Sequence, residues 1–129
     1  MNHHYLTLAL TLGALTACGS GEEAIQDDQQ EENSAPIAGN VRIDHDGGSD
    51  QPIAGDELTG LYVFNDIDGD LEGQSTFKWL RDGAAIDGAN SQVYALVASD
   101  QGYDFSFEVT PIAQTGDTIG LAQTSASLS

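Results

Sequence analysis

One cysteine, Cys18, occurs in 129 residues. With no second thiol, an intramolecular disulfide is excluded, and the fold has to hold by packing and hydrogen bonds. Cations are almost as scarce: three Lys plus Arg stand against 21 Asp plus Glu, a formal net charge of −18. Such a surface repels phosphate backbones and anionic headgroups, which excludes nucleic acid and polybasic adsorption to membranes. It favours solubility and cationic partners. No apolar run approaches the roughly 20 residues of a membrane-spanning helix. No glycine-rich phosphate loop follows a candidate strand. Beyond residue 36 there is a single histidine, His45, and no serine has a plausible base beside it in the sequence, so nucleophilic catalysis is not expected.

What is present divides the chain into three textures. From Tyr5 to Ala17 runs an apolar stretch of 13 residues, the length of the hydrophobic region of a secretory signal. The preceding "MNHHY" carries no Lys or Arg, unlike most such signals. The stretch ends in Leu15-Thr16-Ala17-Cys18. This resembles the lipobox of bacterial lipoproteins, in which small residues precede a cysteine that is diacylglycerated, exposed by cleavage and acylated again. The resemblance implies a signal over 1–17 and a lipid anchor on Cys18, with several acyl chains holding firmly where one is marginal. Gly19 lacks the Asp associated with inner-membrane retention, so an outer-membrane location, facing the periplasm or the surface, is expected.

The next 17 residues, "GSGEEAIQDDQQEENSA", hold six acids, no cation and one large apolar side chain, Ile25. That is too little apolar surface to offset the entropy of ordering, so 18–35 is expected to be a flexible acidic tether. Fully extended, it would reach at most about 60 Å.

From 36 to 129 short alternating runs appear between Gly, Asp and Asn: "NVRID", "LTGLYVFND", "STFKWLRDG", "QVYALVA" and "YDFSFEVTPIA". In the last of these Tyr103, Phe105, Phe107 and Val109 are expected on one face, with Asp104, Ser106, Glu108 and Thr110 on the other. A further strand is expected within 118–125. Six or seven short strands and no sustained helical period predict an all-β domain, an antiparallel β-sandwich.

Over residues 40–126 the sequence resembles the disulfide-free immunoglobulin-like repeats of large bacterial surface proteins. The match is carried by "LTGLYVFNDIDGDLEGQSTFKW" and "FKWLRDGAAIDGANSQVYALVASDQGYDFSFEVTP". It implies a single Ig-like sandwich of about seven strands, with Trp79 at the centre of the core. Asp100 and Gly102 would lie in a corner before the strand that carries Phe107. The tyrosine usual four residues after such an Asp is replaced by Asp104, with Tyr103 one place earlier. Relatives of this kind serve as stalks, spacers or adhesive units in arrays, whereas this chain holds one copy. The expected role is therefore a non-catalytic interaction or adhesion module on an anchored lipoprotein, with an unidentified protein or glycan partner.

Two readings fit the loop "NDIDGDLEG", which sets Asp66, Asp68, Asp70 and Glu72 at alternate positions. Asp and Gly make it a natural solvated turn. Alternating carboxylates can also supply oxygens to Ca²⁺, which needs six to eight of them, and this makes Ca²⁺ the one cofactor to consider. On the second reading the domain is a Ca²⁺-dependent carbohydrate-binding module. It is not an EF-hand, because Leu71 and Phe77 occupy the places that need Gly and Glu. Asp44, Asp46 and Asp50 form a weaker cluster around His45. Tyr62, Phe64, Trp79, Tyr94 and Phe107 are expected mainly as core, a sugar-binding face being the other use for them.

Overall fold

A computed structural model describes residues 32–116 and 118–129. The signal, Cys18 and most of the tether lie outside the described residues. The compact unit runs from Glu31 to Ser129. It contains seven antiparallel strands, with no α-helix among the described residues. They are β1 (Ile37–His45), β2 (Glu57–Asn65), β3 (Thr76–Arg81), β4 (Ala84–Ala85), β5 (Val93–Ala95), β6 (Phe105–Thr110) and β7 (Gln123–Thr124). One sheet has the order β1-β2-β5 and the other β4-β3-β6-β7. Their facing sides form one β-sandwich.

Alternation sets the inner faces. In β6, Phe105, Phe107 and Val109 are buried, while Ser106, Glu108 and Thr110 are half-buried on the other side. Trp79 in β3 stands opposite Phe107 and is fully buried. Its ring centroid lies 5.1 Å from that of Phe107, tilted by 50°, a favourable edge-on geometry. The indole N–H donates to the Ser91 carbonyl at 2.9 Å, so the one polar atom of the side chain is satisfied. Leu58, Leu96 and Ala38 complete the buried cluster. Gly60 in β2 is required by this packing, because a Cβ there would fall 2.2 Å from the Phe107 ring. Trp79 and Phe107 are therefore core, not a sugar platform.

β1 contains a bulge. Gly39 pairs with Val63 and Arg42 with Leu61, so Asn40 and Val41 together oppose Tyr62. Asn40 takes a positive φ of 50° to make the extra step. The added residue switches parity, and Val41 and Ile43 pack on the same core as Ala38. Strand β3 turns into β4 through Asp82 and Gly83, both at positive φ (49° and 79°). That is the two-residue turn whose twist suits a hairpin.

Two expectations need correction. The strand carrying Phe107 starts at Phe105, and Tyr103 does not share its inner face: it is 43% exposed. The Arg81 guanidinium lies over its ring, 4.8 Å from the centroid, a cation–π contact that gives the ring a partner outside the core. The strand expected within 118–125 shrinks to Gln123–Thr124. Ahead of it, Gly120 donates to Pro111 and Ile119 makes an isolated bridge with Ile112, so the chain turns back before it can run extended.

Candidate functional site

The acidic loop joins β2 in one sheet to β3 in the other, at the end of the sandwich where β1 begins and β6 finishes. Each of its carboxylates has a separate task. Asp66 folds the turn on itself: its Oδ1 accepts the N–H groups of Asp68 (2.9 Å) and Asp70 (3.3 Å). Asp68 Oδ2 accepts the Ser34 N–H at 2.6 Å. Asp70 accepts from the Thr115 hydroxyl (2.5 Å) and the Asn33 amide (2.9 Å). These two bonds, Thr115 first, hold the Asp70 carboxyl below its usual value of 3.8. Residues 33 and 34, expected in the tether, are thus fastened to the loop.

Glu72 points the other way. It accepts the Tyr62 phenol at 2.5 Å and the Ser75 hydroxyl at 2.7 Å. Burial first, then the hydrogen bond and charge of Glu72, push the Tyr62 phenol up to about 12. The loop's second half continues as backbone pairing. Gly73 donates to Ile112 at 2.6 Å and Gln114 to Leu71 at 2.8 Å. Among the described residues, no three His, Cys, Asp or Glu side chains come together as a group that could hold a metal. One carboxylate oxygen, Asp66 Oδ2, is buried without a hydrogen-bond partner. In the second acidic cluster, Asp46 Oδ1 caps the Glu57 N–H at 2.7 Å, while Asp44 and Asp50 are exposed and His45 is half-buried.

At the opposite end the sequence singled out Asp100 without saying what it holds. It is the last residue of a short 3₁₀ turn, Ala98–Asp100, and is only 2% exposed. Oδ1 accepts Arg81 Nη1 at 2.8 Å, and Oδ2 accepts the Tyr94 hydroxyl (2.9 Å) and the Val97 N–H (3.0 Å). Burial opposes the charge. The Val97 N–H, the Tyr94 hydroxyl and the Arg81 guanidinium outweigh it and leave the carboxyl below 3.8. Tyr94 is raised in turn, by burial first and then by Asp100. One of the chain's three cations is committed here to an internal brace, and Lys78 pairs with Glu108 at 3.3 Å.

Two surface features were not read from sequence. The acidic-loop end exposes large apolar side chains: Leu121 at 81%, Ile67 at 75% and Leu71 at 69%, with Ile37, Val63 and Ile119 also exposed. They come from four separate segments, so no local run announces them. The second is a groove on the flank, lined by residues 74–77 and 90–92. Its walls are two polar stretches that look like ordinary loops until the fold sets them face to face. Cys18 lies outside the described residues, and no described helix is long and apolar enough to cross a membrane. No protein-family model, no curated protein and no solved structure matches the chain.

Proposed function

We propose that the chain is a membrane-anchored bacterial lipoprotein, held through Cys18, that displays one Ig-like sandwich as a non-catalytic interaction or adhesion module. The observation that supports an interaction role is the apolar end. A sandwich this small has no need to expose Ile67, Leu71 and Leu121, since its core closes around Trp79 without them. Large apolar side chains exposed on the segments that build one end, beside its acidic loop, have the make-up of a partner-binding surface. The lipobox supplies the address, and the acidic tether supplies the reach.

Leu71→Ser with Leu121→Ser tests the role of that end, both positions being outside the core. Chemical crosslinking in cell envelopes of the native organism should give discrete adducts with the native protein and lose them in the double variant. Adducts unchanged by the two substitutions would overturn the assignment of that end.

The alternative, a Ca²⁺-dependent carbohydrate-binding domain using Asp66, Asp68, Asp70 and Glu72, draws support from the partnerless Asp66 Oδ2. Calorimetric titration separates the two. A flat trace at millimolar Ca²⁺ removes the metal reading, and saturable heat that disappears in Asp68→Asn and Asp70→Asn supports it.

A further inference from the structure

The flank groove is an open one with a volume of about 660 Å³. It opens where the two sheets part. On one side β3 is covered by β4 only at Leu80 and Arg81; on the other, residues 90–92 lead into β5, the edge of the facing sheet. The chain carries 21 acidic residues, yet none lines this groove. Every lining side chain carries an amide or a hydroxyl except Phe77, half-buried between Tyr62 and Phe107, and carbon makes up more of the exposed wall than nitrogen and oxygen.

The wall is also held in place. Gln92 is clamped to Gly60 by a backbone bond at 2.8 Å and by its own side-chain amide at 2.9 Å. Ser91 is pinned through its carbonyl to the Trp79 indole. On the opposite wall, Ser75 donates to Glu72 and accepts the Ile112 N–H at 3.1 Å. The side chains of Gln74, Thr76, Asn90 and Ser91 are exposed on this fixed frame.

Amides and hydroxyls both donate and accept. That matches a ligand made of hydroxyls, each of which also does both, and a neutral ligand is not repelled by a molecule of charge −18. We propose that the groove binds a neutral saccharide, with the Gln74 and Asn90 amides gripping adjacent hydroxyls. An extended peptide is the weaker fit. Trp79 directs its N–H and C=O away from β6, to Ala89 and Ile86, and the two-residue period opens only those of Phe77 beside them. Strand addition needs a longer row of free groups. The inference is independent of the lipid anchor, of the apolar end and of Ca²⁺.

The test is a ¹⁵N chemical-shift titration of the full chain with cellotriose, mannotriose and chitotriose, each to about 10 mM so that a millimolar Kd saturates, with EDTA present. At least one sugar should move the amide signals of residues 74–77 and 90–92 and the side-chain NH₂ signals of Gln74 and Asn90. Gln74→Ala and Asn90→Ala, both at exposed positions, should each weaken that sugar at least about fivefold, the loss of one hydrogen-bonding group, with all core signals in place. No shift with any of the three, or shifts confined to other surfaces, would overturn the proposal. So would a Thr-Val-Thr-Val-Thr peptide that shifts the Phe77 N–H where no sugar does, since that outcome assigns the groove to strand addition.

Discussion

The two ends of the sandwich each depend on carboxylates, but they hold them differently. At the Asp100 end one buried carboxylate takes an arginine, a phenol and a backbone N–H. At the Asp66–Glu72 end four carboxylates take, among the described residues, neutral donors: backbone N–H groups, hydroxyls and an amide. Burial explains the difference. Asp100 is cut off from water, and its charge is tolerable only beside a counter-ion and with both oxygens hydrogen-bonded. The loop carboxylates are exposed or half-buried apart from the buried Asp66 Oδ2, and among the described residues neutral donors hold them without a cation. In a chain with three cations that economy matters. One end is therefore an internal brace, and the other is a ladder of turns that leaves Ile67 and Leu71 facing outward.

The comparison breaks most sharply at Asp100. Asp100→Ala removes the counter-ion, the phenol's acceptor and the cap of the 3₁₀ turn together. The expected loss is about 3 kcal/mol, at the low end for a broken buried pair because Arg81 can still reach water. Urea denaturation reads it as a lower midpoint with unchanged slope. A loss below about 1 kcal/mol would mean that the brace is ornamental.

At the other end Glu72→Ala should cost less, about 1–2 kcal/mol, through the stranded Tyr62 and Ser75 hydroxyls. Glu72→Gln keeps an acceptor oxygen and should recover most of that loss. If Gln proves as damaging as Ala, the charge rather than the acceptor matters, and the contrast between the two ends fails.

The pH dependence is a finer probe, because each end carries a depressed carboxyl and a raised phenol: Asp70 and Tyr62 at the loop, Asp100 and Tyr94 at the other. The depressed Asp100 carboxyl contributes stability that is present above its unfolded value near 3.8 and lost as pH falls through the lower folded value. The Tyr62 phenol, raised from 10.0 to about 12, contributes stability that is present below pH 10 and lost as pH rises toward 12. Tyr62→Phe should reduce the alkaline loss without abolishing it, since Tyr94 is also raised. Thermal unfolding across both windows checks each sign.

The legible part of this fold is the part written as alternation. Phe105, Phe107 and Val109 announce their face, and Trp79 announces the strand that meets it, because period two survives when one side is buried. The bulge at Asn40 was not legible. It depends on Tyr62 in the neighbouring strand facing two residues, and nothing local in "AGNVRI" demands that. Strand β4 is two exposed alanines held by the Asp82–Gly83 turn, with no apolar signal of its own. Tyr103 looked like the first inward residue of its strand, yet a cation 22 positions earlier claims it. In the candidate sites, the spacing of Asp66, Asp68, Asp70 and Glu72 was visible, but the partners Asn33, Ser34, Tyr62 and Thr115 come from distant segments. The groove joins stretches 74–77 and 90–92 that share no periodicity, so only the fold brings them together.

The claim that binds these parts is that the sandwich is displayed on a membrane through Cys18, and fractionation tests it most directly. Expressed in a Gram-negative bacterium, the native chain should sediment with membranes and enter the detergent phase. Cys18→Ser, made at equal level, should remain in the aqueous fraction. Equal partition of the two proteins would contradict the account.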